Sequence, residues 1–182
     1  PERVAACIDD VGIGFLFVEI PLIQRFILFL DHPVYAFATV LFTLLLASGV
    51  GSFFSARLPQ RASLALLVLL IVAYPALVPL VVQAFLGEPF AVRVGVSLMA
   101  LAPLGFLMGI PFPAGLAGLN QKAPGLAPLA WGVNGCASVI SSILATLGAM
   151  AWGFSAVIFA GAGAYALALI ICLALVERKS LP

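Results

Sequence analysis

The chain has 182 residues, of which 64% are hydrophobic and only 8% are charged, and its formal net charge is +1. Soluble domains are roughly half apolar and a quarter charged, so no water-soluble fold could cover this much apolar surface. The composition excludes a soluble domain and predicts an integral membrane protein. The small net charge argues against a nucleic-acid-binding groove.

The predicted elements are long apolar helices. A helix that spans a membrane needs roughly 20 consecutive apolar residues, whereas a barrel strand needs only about 9–11 alternating ones. Cutting the sequence at charged residues and at Pro/Gly clusters predicts an all-α bundle of about six transmembrane helices in one membrane domain, residues 1–182. The predicted spans cover residues 11–30, 34–56, 62–86, 94–110, 127–151 and 155–176.

The first residues and the basic residues predict the context and the orientation. The chain opens Pro1-Glu2-Arg3 without a signal peptide, so we expect it to be the carboxyl-terminal part of a longer polypeptide. The positive-inside rule favours basic residues on the cytoplasmic side of the membrane. If the amino terminus is cytoplasmic, Arg93 is the basic residue that falls outside, and the carboxyl terminus is cytoplasmic as well. The basic residues then inside are Arg3, Arg57, Arg61, Lys122, Arg178 and Lys179.

The first span carries the most unusual residues. Glu19 follows Asp10 by enough residues to lie close to the membrane midplane. A carboxylate there is costly and is by default a candidate functional group. Pro21 removes a backbone donor and predicts a break or kink beside it. Glu19 is either a substrate or proton site, or a structural group hydrogen-bonded to a neighbouring helix or another domain; either way we expect it to be buried with a polar partner.

Further polar residues complete a candidate intramembrane site of Glu19, Gln24, Arg25 and Asn134. Asn134 is expected to bond to Glu19 or Gln24 across the helices. Small residues such as Gly51, Gly135 and Ser138 let helices approach closely and predict helix packing.

Pro111 and Pro113 flank Phe112 and predict a second helix break, either a turn after the fourth span or a re-entrant element. The sequence also hints at duplication, because Gly-Phe-Leu precedes Ile-Pro both at 14–21 and at 105–111. Two such three-helix units would be inverted, as within each half of a major facilitator transporter.

The chain offers little for catalysis. It has one histidine, His32, and three cysteines without paired spacing, so we expect no metal site and no cofactor. We find no nucleophile beside a base and predict no catalytic residue in these spans.

Several runs in order resemble a known membrane region: GIGFLFVEIPLIQR (12–25), LFLDHPVYA (28–36), SGVGS (48–52), PLGFLMGIPFP (103–113) and WGVNG (131–135). Together they resemble the carboxyl-terminal membrane region of bacterial spermidine-synthase-like membrane proteins, of the fused major facilitator/spermidine synthase type. The resemblance implies an upstream cytoplasmic domain like an aminopropyltransferase, and a location in the bacterial inner membrane.

Three functions follow as expectations. The chain anchors or docks the cytoplasmic domain, or partner membrane subunits, in the lipid bilayer. Alternatively, it forms half of a carrier for a small cationic, polyamine-like metabolite, with Glu19 in the pathway. In a third hypothesis it is the membrane part of an aminopropyltransferase-like enzyme.

Overall fold

The computed structural model describes residues 2–123 and 125–177, and these form seven α-helices. Arg178 and Lys179, which entered the orientation prediction, lie outside the described residues. The helices are α1 (Glu2–Leu30), α2 (Pro33–Phe54), α3 (Gln60–Phe85), α4 (Phe90–Met108), α5 (Pro111–Lys122), α6 (Ala127–Trp152) and α7 (Phe154–Glu177).

The predicted all-α membrane fold is confirmed. Within the described residues, 6 helical segments are long and apolar enough to cross a membrane. The fourth extends beyond the predicted 94–110, because α4 and α5 together form the segment Phe90–Gln121. The spans alternate in direction. We call the end where the first span begins the near end, and the end where it stops, at Leu30, the far end.

The prolines do not break the helices at the positions that the sequence predicted. The helix is interrupted at Gly109 and Ile110, and Pro111 and Pro113 then begin α5 instead of forming a turn. Proline is compatible with the first turn of a helix, where the backbone donors have no partner inside the helix. Pro21 lies inside α1, which continues to Leu30, so the helix break predicted there is wrong.

The first helix is the centre of the bundle, with its most extensive contacts to α7 and α6. Glycines permit its close approach to α7. A Cβ on Gly14 would stand 2.8 Å from the ring of Tyr165, and one on Gly161 would stand 3.0 Å from Val18. The α1–α7 pair is therefore antiparallel, with backbones in close contact.

The second helix packs along α4 in the same direction. A Cβ on Gly51 would overlap the Phe106 carbonyl oxygen, and one on Gly109 would overlap the Ser48 carbonyl oxygen and stand 2.6 Å from its carbonyl carbon. Gly51 thus lies at a helix contact, where the sequence analysis placed it. Suppose that the first span is exchanged with the fourth, and the second with the fifth. The α2–α4 pair then becomes the pair of α6 and α1, which also run parallel and are in extensive contact. An inverted repeat requires this correspondence. The same exchange would turn α1–α2 into α4–α6 and α6–α7 into α2–α3, and those two pairs make little or no contact, so the correspondence is partial.

Two residues close the far end of α1. Asp31 adopts a positive φ of 62°, and its amide donates to the Ile27 carbonyl at 3.0 Å. Arg93, at the start of α4, donates from Nη1 to the Phe29 carbonyl at 2.8 Å. A guanidinium is favourable at this position because the carbonyl end of a helix carries partial negative charge.

Candidate functional site

Glu19 is enclosed by protein. Only 6% of its surface is exposed, in agreement with the expectation that it faces the bundle and not lipid. The expected hydrogen bond is not seen at Glu19 Oε1, which has no partner among the described residues. The fold therefore leaves a buried carboxyl group without the polar neighbour that the sequence analysis predicted.

Tyr165 of α7 is the neighbour that the sequence analysis missed. Its side chain is fully buried, and its hydroxyl also lacks a hydrogen-bond partner in the described part of the chain. It lies close enough to Glu19 for the two groups to interact electrostatically. Side chains lean toward the amino terminus of their own helix, so on antiparallel helices these two lean toward each other. The glycine at position 14 makes room for the tyrosine ring.

The other polar residues of the first span do not join Glu19. Arg25 Nη2 donates to Ser155 Oγ at 2.7 Å, at the beginning of α7 and toward the far end. Gln24 is half-buried within α1, and its side chain forms no hydrogen bond with Glu19 among the described residues. The predicted cluster of Glu19, Gln24 and Arg25 is thus divided between two depths.

Asn134 lies nearer to the near end than predicted. Its side-chain oxygen packs directly against Gly12, whereas Glu19 lies two turns further along α1, at roughly 10 Å of helical rise. Asn134 Oδ1 is buried without a partner, so the expected bond to Glu19 or Gln24 is wrong. The difference arises because α6 pairs with α1 in a register that sequence alone does not reveal.

The two small residues that follow Asn134 have different environments. Ser138 donates to the Asn134 carbonyl at 2.8 Å and lies at the contact with α1. Gly135 is exposed, and no atom lies within 4 Å of where its Cβ would be, so it makes no helix contact within the described bundle. The predicted packing role of Gly135 is therefore not seen in this chain.

A cleft of about 350 Å³ opens at the near end between α1, α2, α6 and the α4–α5 junction. Its apolar wall includes Phe15, Met108 and Phe112, and its polar lining includes Asn134 and Ser138. Charged side chains are absent from the lining. The cleft therefore suits a small neutral or weakly polar group, and Glu19 is not among the residues that line it.

The cleft nevertheless points toward Glu19 along one face of α1. At 100° per residue, Gly12 and Glu19 point within about 20° of each other, and Phe15 lies within about 40° of Glu19. Gly12 and Phe15 line the cleft, while Glu19 lies one turn beyond Phe15. Phe15 is therefore the cleft-lining residue of α1 that comes closest to Glu19 in sequence on this face.

The described residues contain no group of three or more His, Cys, Asp or Glu side chains that could hold a metal ion. Comparisons with protein-family models, with curated proteins and with solved structures found no match. The geometry of the chain therefore carries the functional argument.

Proposed function

We propose that the chain is a membrane-anchoring module that holds a cytoplasmic domain of the same polypeptide, or partner subunits, at a bacterial inner membrane. In this proposal both termini face the cytoplasm, the near end is the cytoplasmic end, and the anchored domain is of the spermidine-synthase type that the sequence resemblance implies. Any aminopropyl transfer would then belong to that domain, and the spans would contribute no catalytic group.

The observation that carries the proposal is the apolar interior of the bundle. Large buried side chains such as Phe26, Phe29 and Leu101 fill the interior toward the far end. A carrier needs a polar route that reaches both sides of the membrane. The cleft described above opens at the near end and has a largely apolar lining, and a second pocket of about 200 Å³ beside Phe26 is lined by apolar and aromatic side chains. An anchor requires no such route. Its outer surface must instead be apolar, as is the case for Leu69, Met99 and Met150.

A carrier role is the second candidate, and one specific observation favours it. The first, second, fourth and fifth spans together line the cleft, and these four are the spans that the repeat-like exchange interconverts. Half of a major-facilitator-like carrier would use such a surface to face a second half. The substrate would be a small cationic metabolite of the polyamine type.

Fractionation of the full-length polypeptide tests the anchoring role. We expect the soluble domain to remain with membranes after high-salt and alkaline carbonate washing, and to be released when residues 11–174 are deleted. A soluble domain that stays on membranes after the deletion would overturn the proposal. Uptake of a radiolabelled polyamine into proteoliposomes, abolished by Asn134→Ala in the cleft, would favour the carrier instead.

A further inference from the structure

Two buried oxygen atoms in the α1–α7 interface have no hydrogen-bond partner, and they belong to side chains that interact with each other. One is Glu19 Oε1 and the other is the Tyr165 hydroxyl, on side chains that are 6% and 0% exposed. A carboxylate inside a membrane is costly unless a positive charge or hydrogen bonds compensate it. A buried carboxyl group whose Oε1 has no partner therefore indicates a site for something positively charged.

The side chains that the structure describes supply no cation to this site. Arg25 is bonded to Ser155 toward the far end, and Arg93 is bonded to a carbonyl at the end of α1. The sequences of α2 and α6 contain no charged residue or histidine; their titratable groups are Tyr35 and Cys136, which are exposed. Lys122, on α5, has no described side-chain position. Tyr165 is therefore the titratable group that the structure brings to Glu19.

We propose that Glu19 and Tyr165 form an intramembrane proton-binding site, and that the proton reaches it from the near end through the cleft. Uptake of one proton by the Glu19 carboxylate neutralises the charge, and the resulting carboxyl O–H donates to the Tyr165 hydroxyl oxygen. No other bond forms or breaks. This inference goes beyond the anchoring role and does not depend on it.

A proton fits this site better than a metal ion. Hard metal cations take roughly six or more oxygen ligands in proteins. Here the side-chain oxygens available are those of one carboxyl group and one hydroxyl. On the same helix, the Phe17 carbonyl is the backbone acceptor that Pro21 leaves without its usual donor. A proton requires only one oxygen to carry it and one to accept the hydrogen bond.

The route to the site is defined by one face of α1. Gly12 and Phe15 line the cleft and Glu19 follows on the same face, so in this proposal the Phe15 ring is the barrier that a hydrated proton must pass. Phe17 lies two residues further on and, at 100° per residue, points away from this face. Phe15 and Phe17 therefore form a matched pair of variants for testing the route.

Carbodiimide labelling of the full chain in lipid nanodiscs tests the site itself. Dicyclohexylcarbodiimide is lipid-soluble and reacts with protonated carboxyl groups, and peptide mass spectrometry identifies the labelled residue. We expect labelling of Glu19 that increases as pH is lowered and is unchanged by sodium ions. Tyr165→Phe should increase the labelling at a given pH severalfold, because it removes a hydroxyl that can donate to the carboxylate and so favours the charged form. The control Tyr74→Phe, whose hydroxyl donates to the Ala100 carbonyl instead, should leave the labelling unchanged.

A water-soluble carbodiimide tests the route. Phe15→Ala should increase its labelling of Glu19 severalfold, and Phe17→Ala should leave the rate unchanged. Failure of the lipid-soluble reagent to label Glu19 at any pH would overturn the proton site in the unmodified protein, without reliance on a variant. Protection by sodium ions would identify a metal-ion site and overturn it as well. Equal effects of Phe15→Ala and Phe17→Ala would refute the route. None of these outcomes bears on membrane fractionation, so the anchoring proposal stands or falls separately.

Discussion

Replacing Gly51 with alanine should destabilise the bundle, whereas the same change at Gly49 should not. Both glycines lie on α2, two residues apart, so the effect of the substitution on helix propensity is closely matched. Gly51 is buried against α4, while Gly49 has no atom within 4 Å of where its Cβ would stand. The pair isolates the effect of backbone contact between two helices.

The magnitude follows from what the new methyl group would meet. A Cβ on Gly51 would overlap the Phe106 carbonyl oxygen and stand 2.9 Å from its carbonyl carbon, where ordinary contact begins near 3.4 Å. Both atoms are backbone, so no side-chain rotation relieves the overlap and the two helices must separate. Overpacking of this kind costs about 1–3 kcal/mol, and we expect the upper part of that range. Gly49→Ala should change the stability by less than about 0.5 kcal/mol.

Thermal unfolding in detergent, followed by circular dichroism, measures the difference. We expect a lower midpoint for Gly51→Ala than for the unmodified protein, and an unchanged midpoint for Gly49→Ala. If the two variants unfold at the same temperature, α2 and α4 do not pack through Gly51, and the parallel α2–α4 pair is incorrect.

Three further predictions concern orientation and polar contacts. Reporter tags in the loop at residues 57–61 should report the cytoplasm and a tag beside Glu88 the outside; a cytoplasmic signal at Glu88 would contradict the proposed topology. Tyr74→Phe should cost about 0.6 kcal/mol in thermal unfolding, because its hydroxyl donates to a main-chain carbonyl of α4; an unchanged midpoint would exclude that bond. Alanine variants of Arg25 and Ser155 should show a coupling energy of similar size, about 0.6 kcal/mol, in a double-mutant cycle, and additive effects would exclude their 2.7 Å contact.

The fold was largely predictable from hydropathy, because lipid permits few alternatives to a long apolar helix. The prolines were harder to interpret. Pro111 correctly indicated an irregular backbone nearby, but it begins a helix, and Pro21 is accommodated inside one. A proline removes one donor, and whether the helix continues depends on the packing around it. Sequence alone does not supply that information.

The site was predictable in part. The burial of Glu19 followed from the cost of a carboxyl group in lipid. The identity of its neighbour could not be predicted in this way, because the approach of Tyr165 depends on the register of α7 against Gly14. The wrong prediction for Asn134 has the same cause. Asn134 packs against Gly12 because α6 and α1 run parallel in one particular register. Hydropathy identifies which segments span the membrane, but small residues at contacts decide which polar groups meet.

The charged side chains within the spans differ in whether the fold provides them with a hydrogen-bond partner. Arg25 and Arg93 lie toward the far end, where each finds an oxygen acceptor. Glu19 is more deeply enclosed than either and has no partner at Oε1. If Glu19 served only to join helices, we would expect a serine or asparagine to lie within hydrogen-bond distance of it. The serines of α6 instead donate to carbonyls of their own helix, as Ser141 does to the Ala137 carbonyl at 2.6 Å. A costly group whose Oε1 the surrounding helices leave uncompensated is consistent with a role in binding an external cation, and a proton is the smallest such cation.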